Sequence, residues 1–346
     1  MLDFSIYYNG NNTLTYNALF NFIIGNRGGG KSFWAKYWAI RDFLRTGAQF
    51  VYLRRYKDEL KKIKTYFSDI AEFFPDVSFE VKGRDFFINE ELAGTAMSLS
   101  TSKIEKSNSF PKVNKIIFDE FILDKGVHRY LTGEVDYFLE FYETIARTRD
   151  NVRVFFFSNA ITQTNPYFLF FKIELPYGKN VETFYNDGQG NYTKRKTKKF
   201  PDLLIELVAN EKYIEKKSKT RFGGLIAGTD FAEYAIHNSF LRDRDDFLKK
   251  KTIASEYRYS ITFKGELLGV WLDPKEGYYY ISRDRDPSNT FNYSITRDDH
   301  SINTMLLNHR NTMLTHLLDN FKGGNVRFED MNVKNVFYDI LRVFNV

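Results

Sequence analysis

Eight consecutive residues, Gly25-Asn26-Arg27-Gly28-Gly29-Gly30-Lys31-Ser32, carry the strongest chemical signal in this chain, because they fit the pattern G-x-x-x-x-G-K-[ST]. Glycines let the backbone wrap a triphosphate closely enough for its N–H groups to donate to the phosphate oxygens. The positive end of a following helix adds to that attraction. Lys31 can then reach the β and γ phosphates, and the Ser32 hydroxyl can take a Mg²⁺ position. Such a site also needs a carboxylate at the end of a neighbouring strand. Ile116-Ile117-Phe118-Asp119-Glu120 supplies it, three apolar residues and then two acids. Asp119 would hold Mg²⁺ through its water shell, and Glu120 would orient and polarise the attacking water. Adjacent Asp and Glu favour hydrolysis over transfer to a substrate hydroxyl.

Further polar residues stand where strands or helices should end. Ser158-Asn159 closes an apolar run and either touches the γ phosphate or forms an ordinary turn. Arg147 and Arg149 end a predicted helix. They read either as cations at a helix C-terminus or as an arginine finger donated across a subunit interface to the transition-state charge. Arg54, Arg55 and Lys57 form another basic cluster at a strand end, open to the same two readings.

The elements that must position these groups follow from the hydrophobic pattern. Residues 19–24 read as a strand running into the glycine loop. Phe33, Trp34, Tyr37, Ile40 and Leu44 recur at helical spacing, predicting a helix over 31–44 with Gly47 as its stop. Strands are expected at 49–54, 95–99, 116–118 and 152–157, a hairpin at 77–81 with 86–88, and helices at 59–74 and 134–147. Residues 167–171 fit either type. This alternation is the rhythm of an α/β sheet. Composition shifts near 178. Beyond it come turns around 186–191, a basic run at 194–199, and expected helices at 201–217 and 230–236. A meander follows at 257–263, 267–271 and 278–281, with closing helices at 301–320 and 333–344.

The chain has 346 residues with no cysteine, which excludes disulfides and thiolate metal sites. No stretch approaches the eighteen or so apolar residues of a membrane helix, so a soluble protein without a membrane partner is expected. The N-terminus lacks the pattern of a signal peptide. The formal charge of +6 is compatible with a nucleic-acid partner without arguing strongly for one. The 35 Phe and 23 Tyr accompany abundant Asn, Lys and Ile, which reads mainly as composition.

Taken together these residues resemble one family, the DNA-packaging ATPases of small protein-primed podoviruses, Salas-type phages whose motor works with a packaging RNA. The stretches that carry the resemblance are 22–32, 50–60, 105–108, 116–121, 147–152, 158–171 (Ser158-Asn159-Ala160, then Asn165-Pro166-Tyr167-Phe168) and 220–228. Weaker similarity continues at 268–273 and 286–288. The resemblance implies an α/β chain whose P-loop NTPase domain, of the additional-strand, catalytic-glutamate type, covers residues 1–178. A basic hairpin and helical linker or lid would cover 179–238. A C-terminal α+β domain resembling a vestigial ribonuclease-H-type nuclease would cover 239–346 and bind nucleic acid. It further implies a homopentameric ring that uses ATP and Mg²⁺ to pump double-stranded DNA into an empty capsid. The ring would sit in the host cytoplasm, transiently at the portal vertex beside the packaging RNA, and would be absent from the mature virion. Gly25, Asn26, Arg27, Gly28, Gly29, Gly30, Lys31 and Ser32 would bind nucleotide. Ser32 and Asp119 would hold the metal and Glu120 would be the catalytic carboxylate. Arg147 matches the family's trans-acting finger, and Lys57 matches a second residue acting across the interface.

Two other readings compete with the motor: a terminase-type ATPase that also cuts DNA, and a nucleotide-dependent scaffold. The C-terminal acids Asp243, Asp245, Asp246, Asp273, Asp284, Asp286, Asp298 and Asp299 mostly alternate with arginine, which reads as a self-paired surface rather than a two-metal centre. His128, His237, His300, His309 and His316 have no metal-site spacing. The basic runs 194–199, 216–221 and 249–251 are candidates for contact with a nucleic-acid backbone.

Overall fold

The computed structural model describes residues 4–102, 109–123, 130–159, 165–173, 175–176, 179–208, 210–229, 232, 247–307 and 311–344. The chain divides into two compact units, Met1–Arg242 and Asp243–Val346.

The first unit is built on β1 (Phe20–Gly25), β2 (Gln49–Arg54), β3 (Phe79–Lys82), β4 (Asp85–Ile88), β5 (Glu91–Ser98), β6 (Val113–Asp119), β7 (Arg153–Asn159), β8 (Val181–Asn186), β9 (Tyr192–Thr193) and β10 (Leu203–Val208). They form one sheet in the order β3-β4-β5-β2-β6-β7-β1-β10-β8-β9. From β5 to β10 the neighbours pair in parallel, and antiparallel strands close both margins. Buried parallel strands need apolar side chains on both faces, and all six positions of β1 are buried. Helix α1 (Asn11–Tyr16) precedes β1, and α2 (Lys31–Thr46) covers one face through Trp34, Ala39, Ile40 and Phe43. Helices α3 (Glu134–Ala146) and α4 (Pro166–Phe171) cover the other through Phe138, Phe141, Tyr167 and Phe171. The aromatic excess thus fills this core. Phe22 stacks on Phe156 with centroids 4.4 Å apart, and Phe138 lies 4.9 Å from Phe156.

Because the central strands share one direction, the carboxyl ends of β1, β6 and β7 open at the same edge. The glycine loop and the acid pair both emerge there, the usual location of ligand sites in open α/β sheets. Gly47 ends α2 in the left-handed region, φ +70°, as its position beyond the apolar stripe predicts.

Several expectations are corrected. Residues 59–74 form three short 3₁₀ turns, Lys57–Leu60, Ile63–Thr65 and Ala71–Phe73, and no α-helix. Leu60, Tyr66, Phe67 and Ile70 are buried there, positions that would also fit one helical stripe, so the hydrophobic pattern does not explain the departure from a helix. Residues 201–217 begin as strand β10, not helix, and only then form α5 (Glu211–Ser218), followed by α6 (Arg221–Ile226). Leu203, Leu204 and Ile205 are buried on both faces between β1 and β8, so the apolar run behaves as a central strand. Consequently the sheet continues past residue 178, and the segment expected as a linker contributes three strands to the first unit. The expected helix at 230–236 lies outside the described residues apart from Ala232.

The second unit carries a six-stranded sheet of β11 (Glu256–Phe263), β12 (Glu266–Asp273), β13 (Tyr278–Ser282), β14 (Asn292–Ser294), β15 (Met305–Leu306) and β16 (Val326–Phe328). The order is β15-β14-β11-β12-β13-β16. The meander β11-β12-β13 is antiparallel, β14 lies parallel to β11, β15 to β14, and β16 to β13. Helices α7 (Thr312–Lys322) and α8 (Met331–Val343) pack on β13. The first of them starts later than expected, because Met305 and Leu306 are taken into the sheet edge. No described helix is long and apolar enough to cross a membrane.

Candidate nucleotide-hydrolysis site

The glycine loop leaves β1 at Gly25 and opens α2 at Lys31. Gly28 and Gly30 take φ of +79° and +87°, a region that glycine enters without strain. A Cβ on Gly28 would also lie 2.7 Å from the Tyr213 hydroxyl. That tyrosine grips the outside of the loop: its hydroxyl and the Lys217 ammonium each donate to the Arg27 carbonyl at 2.9 Å. Both belong to α5, whose first turn is capped by Asn210.

Lys31 is buried, and its ammonium donates to the carbonyls of Gly25 at 3.0 Å and Asn26 at 2.8 Å. Burial pushes its pKa down to about 7, with Asp119 pulling upward and Lys217 adding to the fall. A triphosphate in the loop would supply the counter-charge that restores the cation. The Lys31 ammonium also lies 3.5 Å from Asn159 Oδ1, in register with Gly25 on the adjacent strand. Of Ser158-Asn159, Asn159 therefore reaches the loop lysine, whereas the Ser158 hydroxyl donates to the Ile122 carbonyl.

The acid pair stands opposite. Ser32 Oγ donates to Asp119 Oδ1 at 3.0 Å, and the Tyr52 hydroxyl donates to Asp119 Oδ2 at 3.2 Å. A hydroxyl beside a carboxylate is an oxygen-only donor set suited to Mg²⁺. Glu120 sits one residue beyond β6 at φ +58°, with its side chain 57% exposed. Arg54 holds it: Nη2 donates to Glu120 Oε2 at 2.5 Å and to Glu59 Oε1 at 2.7 Å, while Nη1 lies 3.8 Å from Asp119 Oδ2.

Gly25 through Ser32, Asp119 and Glu120 thus converge as the spacing predicts. Two other candidates do not join them. Lys57 is exposed at the start of its 3₁₀ turn and is not bonded to the acid pair. Arg147 caps the far end of α3, one helix length from Glu134 and on the side where β6 begins. There Arg149 donates to the carbonyls of Phe110, Pro111 and Val113 at 2.9, 2.9 and 2.6 Å. Arg149 is therefore a brace for the start of β6, whereas Arg147 is exposed.

Arg147 has φ +51° and ψ −118°, and the Arg149 N–H donates to the Ala146 carbonyl at 2.9 Å. That is a type II′ turn with arginine at the position glycine normally takes. Such a conformation costs a non-glycine residue about 1–3 kcal/mol. Arg147→Gly should therefore raise the melting temperature by roughly 2–4 °C, since glycine's extra chain entropy offsets only part of the relief. A lower melting temperature in a calorimetric scan would remove the strain argument.

Sequence reasoning missed several residues. Tyr213 carried no local signal and Lys217 stood out only within the basic run 216–221, because their partner Arg27 lies 186 and 190 residues away. Arg54 stood out only as part of a basic cluster. The basic runs prove partly self-paired, with Lys198 to Asp202 at 2.6 Å, Lys219 to Glu215 at 2.5 Å and Lys251 to Asp284 at 3.0 Å. Among the described residues no three His, Asp or Glu could share a metal ion. Asp273 and Asp299 are spent on local N–H groups, the former at Lys275 and Glu276 and the latter at Lys264 and Gly265. His316 pairs with the Tyr279 hydroxyl at 2.9 Å. Asp243, Asp245, Asp246, His128, His237, His309 and the stretch 105–108 lie outside the described residues. A cavity of about 160 Å³ between α1, Trp38 and Arg153 lies at the amino ends of the strands, away from the glycine loop.

Comparison with known proteins gives a consistent result. The sequence profile of the podovirus DNA encapsidation protein (Gp16) matches residues 2–346. The DNA packaging protein of Bacillus phage phi29 is 38% identical over 347 residues, covering 100% of both chains. That of Bacillus phage B103 is 37% identical over 335 residues, 96% of this chain and 99% of its own. Among solved structures, a chain of the bacteriophage phi29 viral genome packaging motor assembly matches with a TM-score of 0.77 and 38% identity, covering 98% of this chain and 99% of its own. The crystal structure of the N-terminal domain of the phi29 DNA packaging ATPase matches with a TM-score of 0.52 and 41% identity, covering 59% of this chain and 97% of its own.

Proposed function

This chain belongs to the podovirus DNA encapsidation protein family and is the ATPase of a motor that moves viral DNA into a capsid, and on that premise we propose how its residues divide the work. Backbone N–H groups of the loop Gly25–Ser32 and the Lys31 ammonium bind the phosphates of ATP. Ser32 and Asp119 would hold a Mg²⁺, which would offset phosphate charge when bound. Glu120, once released from Arg54, accepts the proton of the attacking water. The water oxygen bonds to the γ phosphorus as the bond to the β–γ bridging oxygen breaks, leaving ADP and phosphate. Insertion of β7 between the loop strand β1 and the acid strand β6 supports the additional-strand, catalytic-glutamate class.

Arg147 cannot serve its own site, since α3 separates it from Glu120. Its exposure and strained turn support a finger offered to the neighbouring subunit, with Arg149 excluded by its brace. This single placement carries the case for an oligomer: the active site is complete only between two chains. A closed ring, five-membered by resemblance, would encircle double-stranded DNA. It would work in the host cytoplasm while docked at the portal vertex beside the packaging RNA, and be absent from the finished virion. Lys57 would act across the same interface. Exposed lysines of the run 194–199 would meet nucleic-acid backbone.

Five strands of the second unit, β13-β12-β11-β14-β15, have the order and directions of a ribonuclease-H-type sheet, and β16 extends it beyond β13. Yet where β11 and β14 pair, the residues in register are Ser260 with Asn292, Ile261 with Tyr293 and Thr262 with Ser294, with no carboxylate among them. Hydroxyls and an amide cannot hold two metals as carboxylates do, which supports a vestigial nuclease.

The metal assignment is tested by Asp119→Asn. The Mg²⁺ concentration needed for half-maximal nucleotide binding should rise about 10–100-fold, the usual effect of losing an outer-shell partner. An unchanged Mg²⁺ dependence would remove Asp119 from the metal site.

A further inference from the structure

The Arg55 and Glu134 side chains are fully buried, each 0% exposed, and they meet along two edges. Nε donates to Oε2 at 2.8 Å and Nη2 to Oε1 at 2.9 Å. The same guanidinium donates to main chain, Nη1 to the Glu120 carbonyl at 3.1 Å and Nη2 to the Phe121 carbonyl at 2.6 Å. The Glu134 carboxylate also accepts from the Tyr167 hydroxyl at 3.1 Å and the Leu131 N–H at 3.0 Å. A buried ion pair is a poor source of stability compared with apolar packing. One so completely bonded to both sides of a functional turn points to geometry as its purpose.

What the pair joins is specific. On one side is the turn that holds Glu120 at φ +58°; on the other is the first turn of α3, which ends in Arg147 at φ +51°. Thirteen helical residues make a rod of roughly 20 Å. Glu120 and Arg147, at the two places the pair and the rod connect, both sit in backbone conformations that surrounding structure must maintain.

We propose that Arg55 and Glu134 are a positioning pair that locks the Glu120 turn to the head of α3. One buried contact then sets both the carboxylate a subunit uses on its own ATP and the arginine it offers to its neighbour. The proposal rests on Arg147 acting in trans, and its test separates the two ideas.

Glu134→Gln keeps the shape and an acceptor but removes the charge that fixes Arg55. The variant should bind ATP and assemble with other subunits, while its turnover falls about 10²-fold, the effect of a misplacement near 1 Å. The decisive readout is pairwise mixing, measured as ATP turnover above the sum of the separate variants. Glu120→Gln mixed with Arg147→Ala is the control and should recover activity. Glu134→Gln should recover activity with neither of them, because both of its ends are displaced. Recovery with Arg147→Ala would mean that the pair sets only Glu120. Recovery with Glu120→Gln would mean that it sets only the finger. Either result, or normal turnover of Glu134→Gln alone, overturns the proposal. A control mixture that stays inactive would instead refute the trans finger, and the proposal with it. If Glu134→Gln does not fold, Tyr167→Phe, which removes one bond to the same carboxylate, must give the same pattern more weakly. Full recovery with either partner would again refute it.

Discussion

Glu120→Gln is expected to bind ATP like the unaltered chain and to lose hydrolysis by about 10²–10⁴-fold, the contribution of a positioned general base. Glu120 follows the last residue of β6, so Asp119 and Glu120 leave the strand together and separate at once. Asp119 turns to Ser32 and Tyr52, while the left-handed backbone of Glu120 sends its side chain into the open edge of the sheet. Its sole bonded side-chain partner among the described residues is Arg54, at 2.5 Å. Glutamine can still accept from Arg54, so the fold and the loop that binds ATP remain intact. It cannot take the proton of the attacking water. Equilibrium binding of a fluorescent ATP analogue and single-turnover hydrolysis separate the two effects. Turnover within a few-fold of the unaltered chain would show that another group is the base.

Arg147→Ala should fall further, by about 10³–10⁵-fold, the range for loss of an arginine finger. The reason is again geometric. The residue lies one α3 length from its own Glu120 and cannot bridge that distance. An arginine kept at a turn position that favours glycine costs the fold backbone strain. The same strain that predicts a stabilised Arg147→Gly therefore predicts an inactive one. ATP binding should survive in both, because the loop Gly25–Ser32 and its supports belong to the same chain. An Arg147→Ala variant with ordinary turnover would leave the strained turn without a functional explanation.

The parts of this site that the sequence discloses are those made by neighbours in the chain. The glycine loop, the strand before it and the helix after it are contiguous, and Asp119 and Glu120 end a run whose apolar character marks a central strand. The hidden parts are made by residues far apart. Arg54 and Arg55 are adjacent and chemically alike, yet one holds the Glu120 carboxylate and the other the carbonyl of the same residue and Glu134. Only the sheet, by bringing β2 beside β6, distinguishes them. The expected helix at 201–217 fails for a related reason. Leu203, Leu204 and Ile205 satisfy helix and buried strand equally by pattern, and the vacancy beside β1 decides. The buried Leu60, Tyr66, Phe67 and Ile70 of the 59–74 segment likewise fit a helical stripe, yet the chain forms 3₁₀ turns, a difference that hydrophobic pattern does not register.

The central claim is that two subunits build each working site. Its most direct test is ATP turnover in a mixture of Glu120→Gln and Arg147→Ala chains, measured with duplex DNA at concentrations where the chain assembles. Each variant alone should be nearly inactive. In the mixture, an Arg147→Ala subunit keeps a working Glu120 and receives the intact arginine of a Glu120→Gln neighbour. Turnover should therefore rise well above the sum of the two. A mixture no more active than its components, with both variants binding ATP and assembling, would contradict the shared site.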